Sequence, residues 1–434
     1  VSFTLKIIIN KIFKGAYPFK KYFNDIAVVF AGNAFAEMLL ILIIPLLTRI
    51  YTPKDFGHFG FVTAFSSLLA QFSTLRYENA IIIAPNFEKS FQTAKFCQYL
   101  TIIIHLVFII VTITFYIVTN LSPKNHTWAD WIILIPIVSF SSTIFRIQSL
   151  LNNRVERFKV SSKIKALQSL SMVLLSIIFG MSGYVNDGLI WALILSYFGG
   201  AFLLRIKKNH YSTLKIKEFK KIAKRYNNFL YYSLMGGLIN NVISQYPLMV
   251  FPFLFGNEVT GYITLAYRFV AAPVRFILSA ISDVFFQYAS KEMRDKSNCR
   301  HLFTVTSTVL LTLSLIIFGI LYVLSDYIFE VFFEEKWRAT GDYVKFLVPL
   351  FIISSVVSPL SSMIYVAEKQ NWHLYWSSLS LFLMSISTLL SYRFFGNIKI
   401  AFLFFVVVSV IAYIMYFLML CILTKRISKD PHVR

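Results

Sequence analysis

A chain of 434 residues that is 57% hydrophobic, 17% aromatic and 14% charged, with a mean hydropathy of +0.67, is too apolar for a soluble globular protein, in which about a quarter of residues are charged. The formal net charge of +22 would suit nucleic acid, but no soluble domain gathers the bases on one face, so nucleic acid is excluded and anionic membrane lipids are the expected partner. Cys97, Cys299 and Cys421 are too scattered for a disulfide framework or a metal site, which leaves a polytopic membrane protein with reduced thiols.

In residues 1–25, Lys6, Lys11, Lys14, Lys20 and Lys21 interrupt the apolar runs, which fits a basic interfacial helix rather than a signal-peptide core. A bilayer core of about 30 Å needs about 20 apolar residues per helix. Twelve segments qualify: Ile26 to Leu47, Phe59 to Ile83, Phe96 to Val118, Trp131 to Leu151, Ala166 to Met181, Gly188 to Leu204, Phe229 to Phe255, Tyr262 to Phe286, Leu302 to Leu324, Tyr343 to Val366, Leu374 to Phe394 and Ile400 to Leu423. With both termini cytoplasmic, the inner segments hold about five times as many Lys and Arg as the outer loops, which sets the orientation.

The basic stretch "RIKKNHYSTLKIKEFKKIAKR" from Arg205 to Arg225 falls in mid-chain. It divides the chain into a six-helix lobe over 26–204, a cytoplasmic linker over 205–228 and a second six-helix lobe over 229–424, with a cytoplasmic tail over 425–434. The expected fold is all-α and integral to the membrane, with lobes related by a pseudo-twofold axis along the membrane normal. A faint echo between "PLLTRIYTPKDFGHFGF" and "PLMVFPFLFGNEVTGYI" fits such a repeat.

Charges inside spans are costly and mark functional sites by default. They are Glu37, Arg76, Glu78, Arg146, Arg268, Arg275 and Asp283, with Lys345 and Arg393 at span ends. In "AYRFVAAPVRFILSAISDVFF" the two arginines lie about 20° apart around the helix and Asp283 about 80° further on, so all three share a face. Arg275 is near mid-span, too deep for easy snorkelling, and either lines a cavity that meets an anion or pairs with Asp283 or Glu37. Arg76, Glu78 and Arg146 lie toward inner ends, where snorkelling or a local ion pair costs little.

Asn33 and Glu37 share a face of the first span, and Asn240, Asn241 and Gln245 take the corresponding place in the seventh. They form either a hydrogen-bonding wall for a hydroxyl-rich ligand or interhelical contacts. Gly199, Gly200, Gly236 and Gly237 are candidates for close helix approach, and Pro45, Pro247, Pro252, Pro273 and Pro359 for kinks. His105 reads as a core histidine. No P-loop, zinc signature, nucleophile elbow or pair of catalytic carboxylates is present, so the chain is not expected to be an enzyme or to hydrolyse ATP.

"PLLTRIYTPKDFGHFGFVTAFSSLLAQFSTLRYENAIIIAP", Pro45 to Pro85, resembles the amino-terminal signature of the Wzx-type polysaccharide transporters. "GYITLAYRFVAAPVRFILSAISDVFF", Gly261 to Phe286, resembles their eighth helix, with Arg76 and Arg268 in the matching blocks. The resemblance implies an inner-membrane flippase of the multidrug/oligosaccharidyl-lipid/polysaccharide (MOP) exporter superfamily. Such a protein moves an undecaprenyl-diphosphate-linked O-antigen-like oligosaccharide to the periplasmic leaflet by alternating access. It implies a cationic cavity, coupling to an H+ or Na+ gradient rather than a cofactor, and a polysaccharide polymerase and chain-length regulator as partners.

Two other readings stay open. A multidrug exporter of the same superfamily would favour carboxylates in its cavity, whereas Arg76, Arg146, Arg268 and Arg275 outnumber Glu37, Glu78 and Asp283. A membrane-embedded polymerase or glycosyltransferase would need a large outer loop, and the longest expected one is Ser325 to Asp342, with Glu334 and Glu335 as a solvated patch.

Overall fold

The computed structural model describes residues 43–120, 129–206, 216–226, 234–296, 299–367 and 369–429. Helices account for nearly all of the described residues, and no strand occurs among them. Helix α1 covers the described end of the first predicted span, 43–50. It is followed by α2 (Pro53–Ser73), α3 (Phe87–Asn120), α4 (Leu134–Arg154), α5 (Phe158–Met181) and α6 (Val185–Leu203). The basic linker contributes α7 (Ile216–Arg225). Then come α8 (Leu234–Phe255), α9 (Asn257–Lys296), α10 (Arg300–Val331), α11 (Arg338–Leu360), α12 (Gln370–Phe395) and α13 (Ile398–Lys429).

Nine helices among the described residues are long and apolar enough to cross a membrane, making this a multi-pass membrane protein. Two further predicted spans, carried by α2 and α9, are helical as well, and most of the first span lies outside the described residues. Their place in the bundle differs from that of the outermost helices. Helices α2 and α9 pack on each other at its centre and also touch α8 and α11, so protein rather than lipid surrounds much of their length. By contrast α3 and α10 turn Ile103, Leu106, Ile110, Leu315, Ile316 and Val323 outward, the surface that hydrocarbon would solvate.

Sequence chemistry explains the start of α2. Thr52 caps it, with Asp55 Oδ2 accepting from the Thr52 backbone N–H at 2.8 Å, and Pro53 supplies a preset φ where no donor is needed. Its end corrects the prediction of one span over Phe59 to Ile83. Leu75 (φ 49°) and Arg76 (φ 63°) enter the left-handed region, and the chain continues as a 3-10 turn at Tyr77–Asn79 and a short helix at Ala80–Ile83. The tenth span, predicted to run unbroken to Val366, likewise stops at Leu360, just after Pro359, and resumes at Met363. The helix of the fifth span, α5, starts at Phe158, eight residues before the predicted start at Ala166. The outer loop expected over Ser325 to Asp342 is mostly taken up by α10 and α11, leaving a short turn that holds Glu334 and Glu335 on the surface.

Glycines set the central crossing. A Cβ on Gly57 would fall 1.8 Å from the Asn257 carbonyl oxygen, and one on Gly261 would fall 1.7 Å from that of Pro53. Beside this contact, Tyr51, Phe56, Ile263 and Trp337 are buried in one apolar core shared by both halves of the chain.

Candidate functional site

Below the α2–α9 crossing lies a cavity of about 1310 Å³ between helices from both halves. This exceeds the roughly 300–1,000 Å³ typical of pockets for drug-sized ligands. One end is shut: Thr48, Tyr51, Thr260, Thr264 and Trp337 are fully buried there. Toward the other end, Asn240, Ser244 and Ser358 line the cavity as exposed side chains.

Three cations line this space, Arg146 from α4, Lys165 from α5 and Arg268 from α9, and no Asp or Glu side chain is among its described lining residues. Low-dielectric walls of one charge sign focus the field of that charge, so the cavity attracts anions. Arg268 is held from α2, its guanidinium carbon 4.2 Å from the centre of the Phe59 ring. Arg146 is held from behind the wall: its Nη2 lies 3.2 Å from Oε1 of Glu78, which is buried while the arginine side chain is 42% exposed. Thr74 donates to the other oxygen of Glu78. The broken end of α2 thus fixes a carboxylate behind an arginine that faces the cavity.

Glu78 thus makes a local ion pair of the kind its place near a span end allows, with Arg146 as its partner. The left-handed turn sends Arg76 the other way, where its Nη2 donates to Gln71 at 3.2 Å and packs on Gly237, whose Cβ, if present, would sit 2.2 Å from that nitrogen. Arg76 is not among the described lining residues and packs against Gly237 of α8. Gly237 and Gly200 allow close approach, as expected, while Gly199 and Gly236 have open space around them and do not.

Asn240, Asn241 and Gln245 line the cavity together, and Asn241 Oδ1 accepts from Ser67 of α2 at 3.1 Å. The amide row therefore serves as both wall and interhelical contact. His105 is a core histidine, its ring nitrogens 2.8 Å from the Thr101 carbonyl and 3.0 Å from Ser139 Oγ. Arg275 and Asp283 lie on α9 with side chains outside the described set, and Asn33 and Glu37 lie outside the described residues. No cluster of His, Cys, Asp or Glu able to hold a metal occurs among the described residues.

Several lining residues were missed. Thr63, Ser67 and Gln71 recur every four residues on α2, and Lys165, Gln168 and Ser169 share a face of α5. Counting hydroxyls and amides at helical steps, and not charges alone, would have found the first set. Lys165 was hidden because it had been assigned to a loop.

A family model described as polysaccharide biosynthesis protein matches residues 46–341. The teichuronic acid biosynthesis protein TuaB of Bacillus subtilis (strain 168) is 25% identical over 164 residues, 38% of this chain and 34% of that one. The capsular polysaccharide biosynthesis protein CapF of Staphylococcus aureus is 22% identical over 279 residues, 62% of this chain and 66% of that one. The aligned parts thus span about a third and just under two thirds of these relatives. An inward-facing multidrug resistance MATE family transporter of the MOP superfamily superposes with a TM-score of 0.66 at 14% identity, covering 92% of this chain and 99% of that one. A MOP superfamily transporter from Pyrococcus furiosus gives 0.59 at 13% identity, covering 94% and 96%. The fold is that of the MOP superfamily.

Proposed function

The chain belongs to the polysaccharide biosynthesis protein family, and from that premise we propose that it is a flippase for a diphosphate-linked, polyprenyl-anchored oligosaccharide in the bacterial inner membrane. The observation that carries this reading is the cavity's polarity: Arg146, Lys165 and Arg268 with no acid among the described lining residues. A cationic drug would meet repulsion there, whereas a diphosphate offers oxygens suited to guanidinium and ammonium donors. The amide and hydroxyl rows suit a glycan, and the volume suits a ligand larger than a drug. The polyprenyl tail would stay in lipid.

In this reading twelve spans form two six-helix lobes, both termini are cytoplasmic, and the sealed end at Gly57, Gly261 and Trp337 faces the periplasm. The described state is then open toward the cytoplasm, where the substrate is made. Rocking the lobes about the α2–α9 crossing would expose the site to the other leaflet, driven by an H+ or Na+ gradient. Transport breaks no covalent bond, so no catalytic group is required of this chain. A polysaccharide polymerase and its chain-length regulator would receive the product.

The test is the sidedness of the lipid-linked oligosaccharide in spheroplasts, read with a membrane-impermeant lectin or glycosidase. Cells without the protein should hold the glycan inside, and the wild-type chain should restore outer exposure. Unchanged sidedness with altered glycan length would overturn the proposal in favour of a polymerase.

A further inference from the structure

The basic linker does not hang free in water. Its helix α7 divides at 100° per residue into two faces: Phe219, Ile222 and Ala223, with Tyr226 just past the helix end, turn one way and are partly buried, while Lys220, Lys221, Lys224 and Arg225 turn the other way and are exposed. Glu218 is the one acid between Arg205 and Arg225 in the sequence. None of Lys220, Lys221 and Lys224 is ion-paired to a described residue.

The apolar face is seated on the first turns of α3. The Phe219 ring meets Phe96 edge-on at 5.3 Å and lies against Tyr99 at 5.6 Å. Tyr77, itself buried, donates its O–H to the Ala223 carbonyl at 3.3 Å, which ties α7 to the turn that follows α2 as well. The side of α3 on which this happens is the informative part. Tyr99, Ile103, Leu106 and Ile110 fall within about 60° of one another around α3. All four are exposed, on the stripe that hydrocarbon would solvate. Tyr99 is the member of that stripe nearest the helix start, and tyrosine is a residue of the membrane–water boundary. The ring of Phe219 beside it places α7 where the lipid-facing stripe ends.

We propose that the exposed face of α7 is a docking site for anionic phospholipid head groups of the phosphatidylglycerol type. Each Lys or Arg held near an anionic bilayer surface contributes roughly fivefold in affinity. Phe219 and Tyr77 already hold the helix, so its basic face is preorganised and little ordering accompanies binding. An acidic soluble protein would meet the same charges, but continuity with the lipid-facing stripe of α3 favours lipid. The net charge of the whole chain suits anionic lipids without giving them a place, and α7 supplies one. The site lies apart from the cavity, since no α7 residue is among the described lining residues. Only its assignment to the cytoplasmic leaflet rests on the orientation in the flippase reading.

The experiment titrates the purified full chain in detergent with phosphatidylglycerol and, separately, with phosphatidylcholine of the same acyl chains, and counts the lipids retained per protein by native mass spectrometry. The wild-type chain should retain phosphatidylglycerol in preference. The triple variant Lys220→Gln, Lys221→Gln, Lys224→Gln should weaken the tightest phosphatidylglycerol adduct roughly a hundredfold, whereas arginine at the same three positions should keep it. A second triple variant, Lys54→Gln, Arg338→Gln, Arg393→Gln, removes three exposed cations from α2, α11 and α12 and should also keep it. Retention by the α7 glutamine variant equal to wild type would overturn the proposal and leave the face to a soluble partner. Equal losses in both glutamine variants would overturn it as well, since binding would then follow net charge and not α7. Displacement of the lipid by inorganic phosphate would make this a site for the free anion, again against the proposal. Melting temperatures matched to wild type without added lipid separate a binding loss from a folding defect. None of these outcomes bears on glycan sidedness, on which the flippase reading stands or falls.

Discussion

Trp337 donates its indole N–H to the backbone carbonyl of Thr48 at 3.0 Å, and both residues are fully buried. The tryptophan comes from the short turn between α10 and α11, the threonine from the end of α1, so one hydrogen bond ties distant parts of the chain at the shut end of the cavity. The Phe56 ring meets the indole edge-on at 5.0 Å and Tyr262 follows at 6.1 Å. Removing a buried aromatic costs about 3–5 kcal/mol. If that packing exists only in the shut state, Trp337→Ala shifts the balance toward opening by more than about a hundredfold. In a background lacking Cys97, Cys299 and Cys421, a cysteine at Thr264 should then react with an impermeant thiol reagent added outside spheroplasts, whereas it should be silent with Trp337 in place. Equal labelling in both would mean that the indole does not hold the seal.

Neighbouring glycines make opposite predictions. Gly199 has open space where a Cβ would go, whereas Gly200 meets the Phe145 ring. Gly199→Ala should be neutral or stabilising by about 0.5–1 kcal/mol, the ordinary helix preference for alanine. Gly200→Ala should destabilise by about 1–3 kcal/mol through overpacking, unless Phe145 turns aside. Melting temperatures in one detergent compare the two; a shared direction of shift would contradict the packing described for α6.

The contact beneath Arg268 sets a graded expectation. A ring under a guanidinium contributes about 0.5–2 kcal/mol, so Phe59→Leu should loosen Arg268 without removing its charge. Glycan export should fall moderately in Phe59→Leu and further in Arg268→Gln, since only the second takes away the cation. Export unaffected by Arg268→Gln, at matched protein levels, would remove this arginine from the binding site.

The helices were legible because lipid demands long apolar runs, and those runs stand out in α3, α10 and α13 whatever surrounds them. The amide row at Asn240, Asn241 and Gln245 was legible for the complementary reason, being polar where apolar residues are expected. What sequence concealed depends on backbone detail. Two consecutive left-handed residues, Leu75 and Arg76, turn Glu78 toward α4 and Arg76 toward α8, and nothing in "STLRYENA" announces that reversal to a reader counting 100° per residue. Lys165 was concealed by charge itself, since a lysine at a span end is ordinarily assigned to water. The extension of α5 back to Phe158 turns that loop residue into part of the cavity wall.

The Glu78–Arg146 pair is asymmetric, and its mutants should be as well. Glu78 is buried and Arg146 partly open to the cavity, so removing the arginine strands a charge while removing the carboxylate does not. Breaking a buried pair in the first way costs about 3–5 kcal/mol. Arg146→Ala should therefore lower the melting temperature clearly, whereas Glu78→Gln, which keeps the shape and the contact with Thr74, should lower it far less. The double variant should be more stable than Arg146→Ala alone, because the stranded carboxylate is gone, and this rescue is what simple loss of packing would not produce. For function the order changes: Glu78→Gln keeps the cation but releases its anchor, so diphosphate binding should persist with reduced orientation, while every variant lacking Arg146 should bind weakly. A double-mutant cycle read in both stability and undecaprenyl diphosphate affinity measures the two couplings separately. Additive losses in stability would mean that the carboxylate gains nothing from the arginine in front of it.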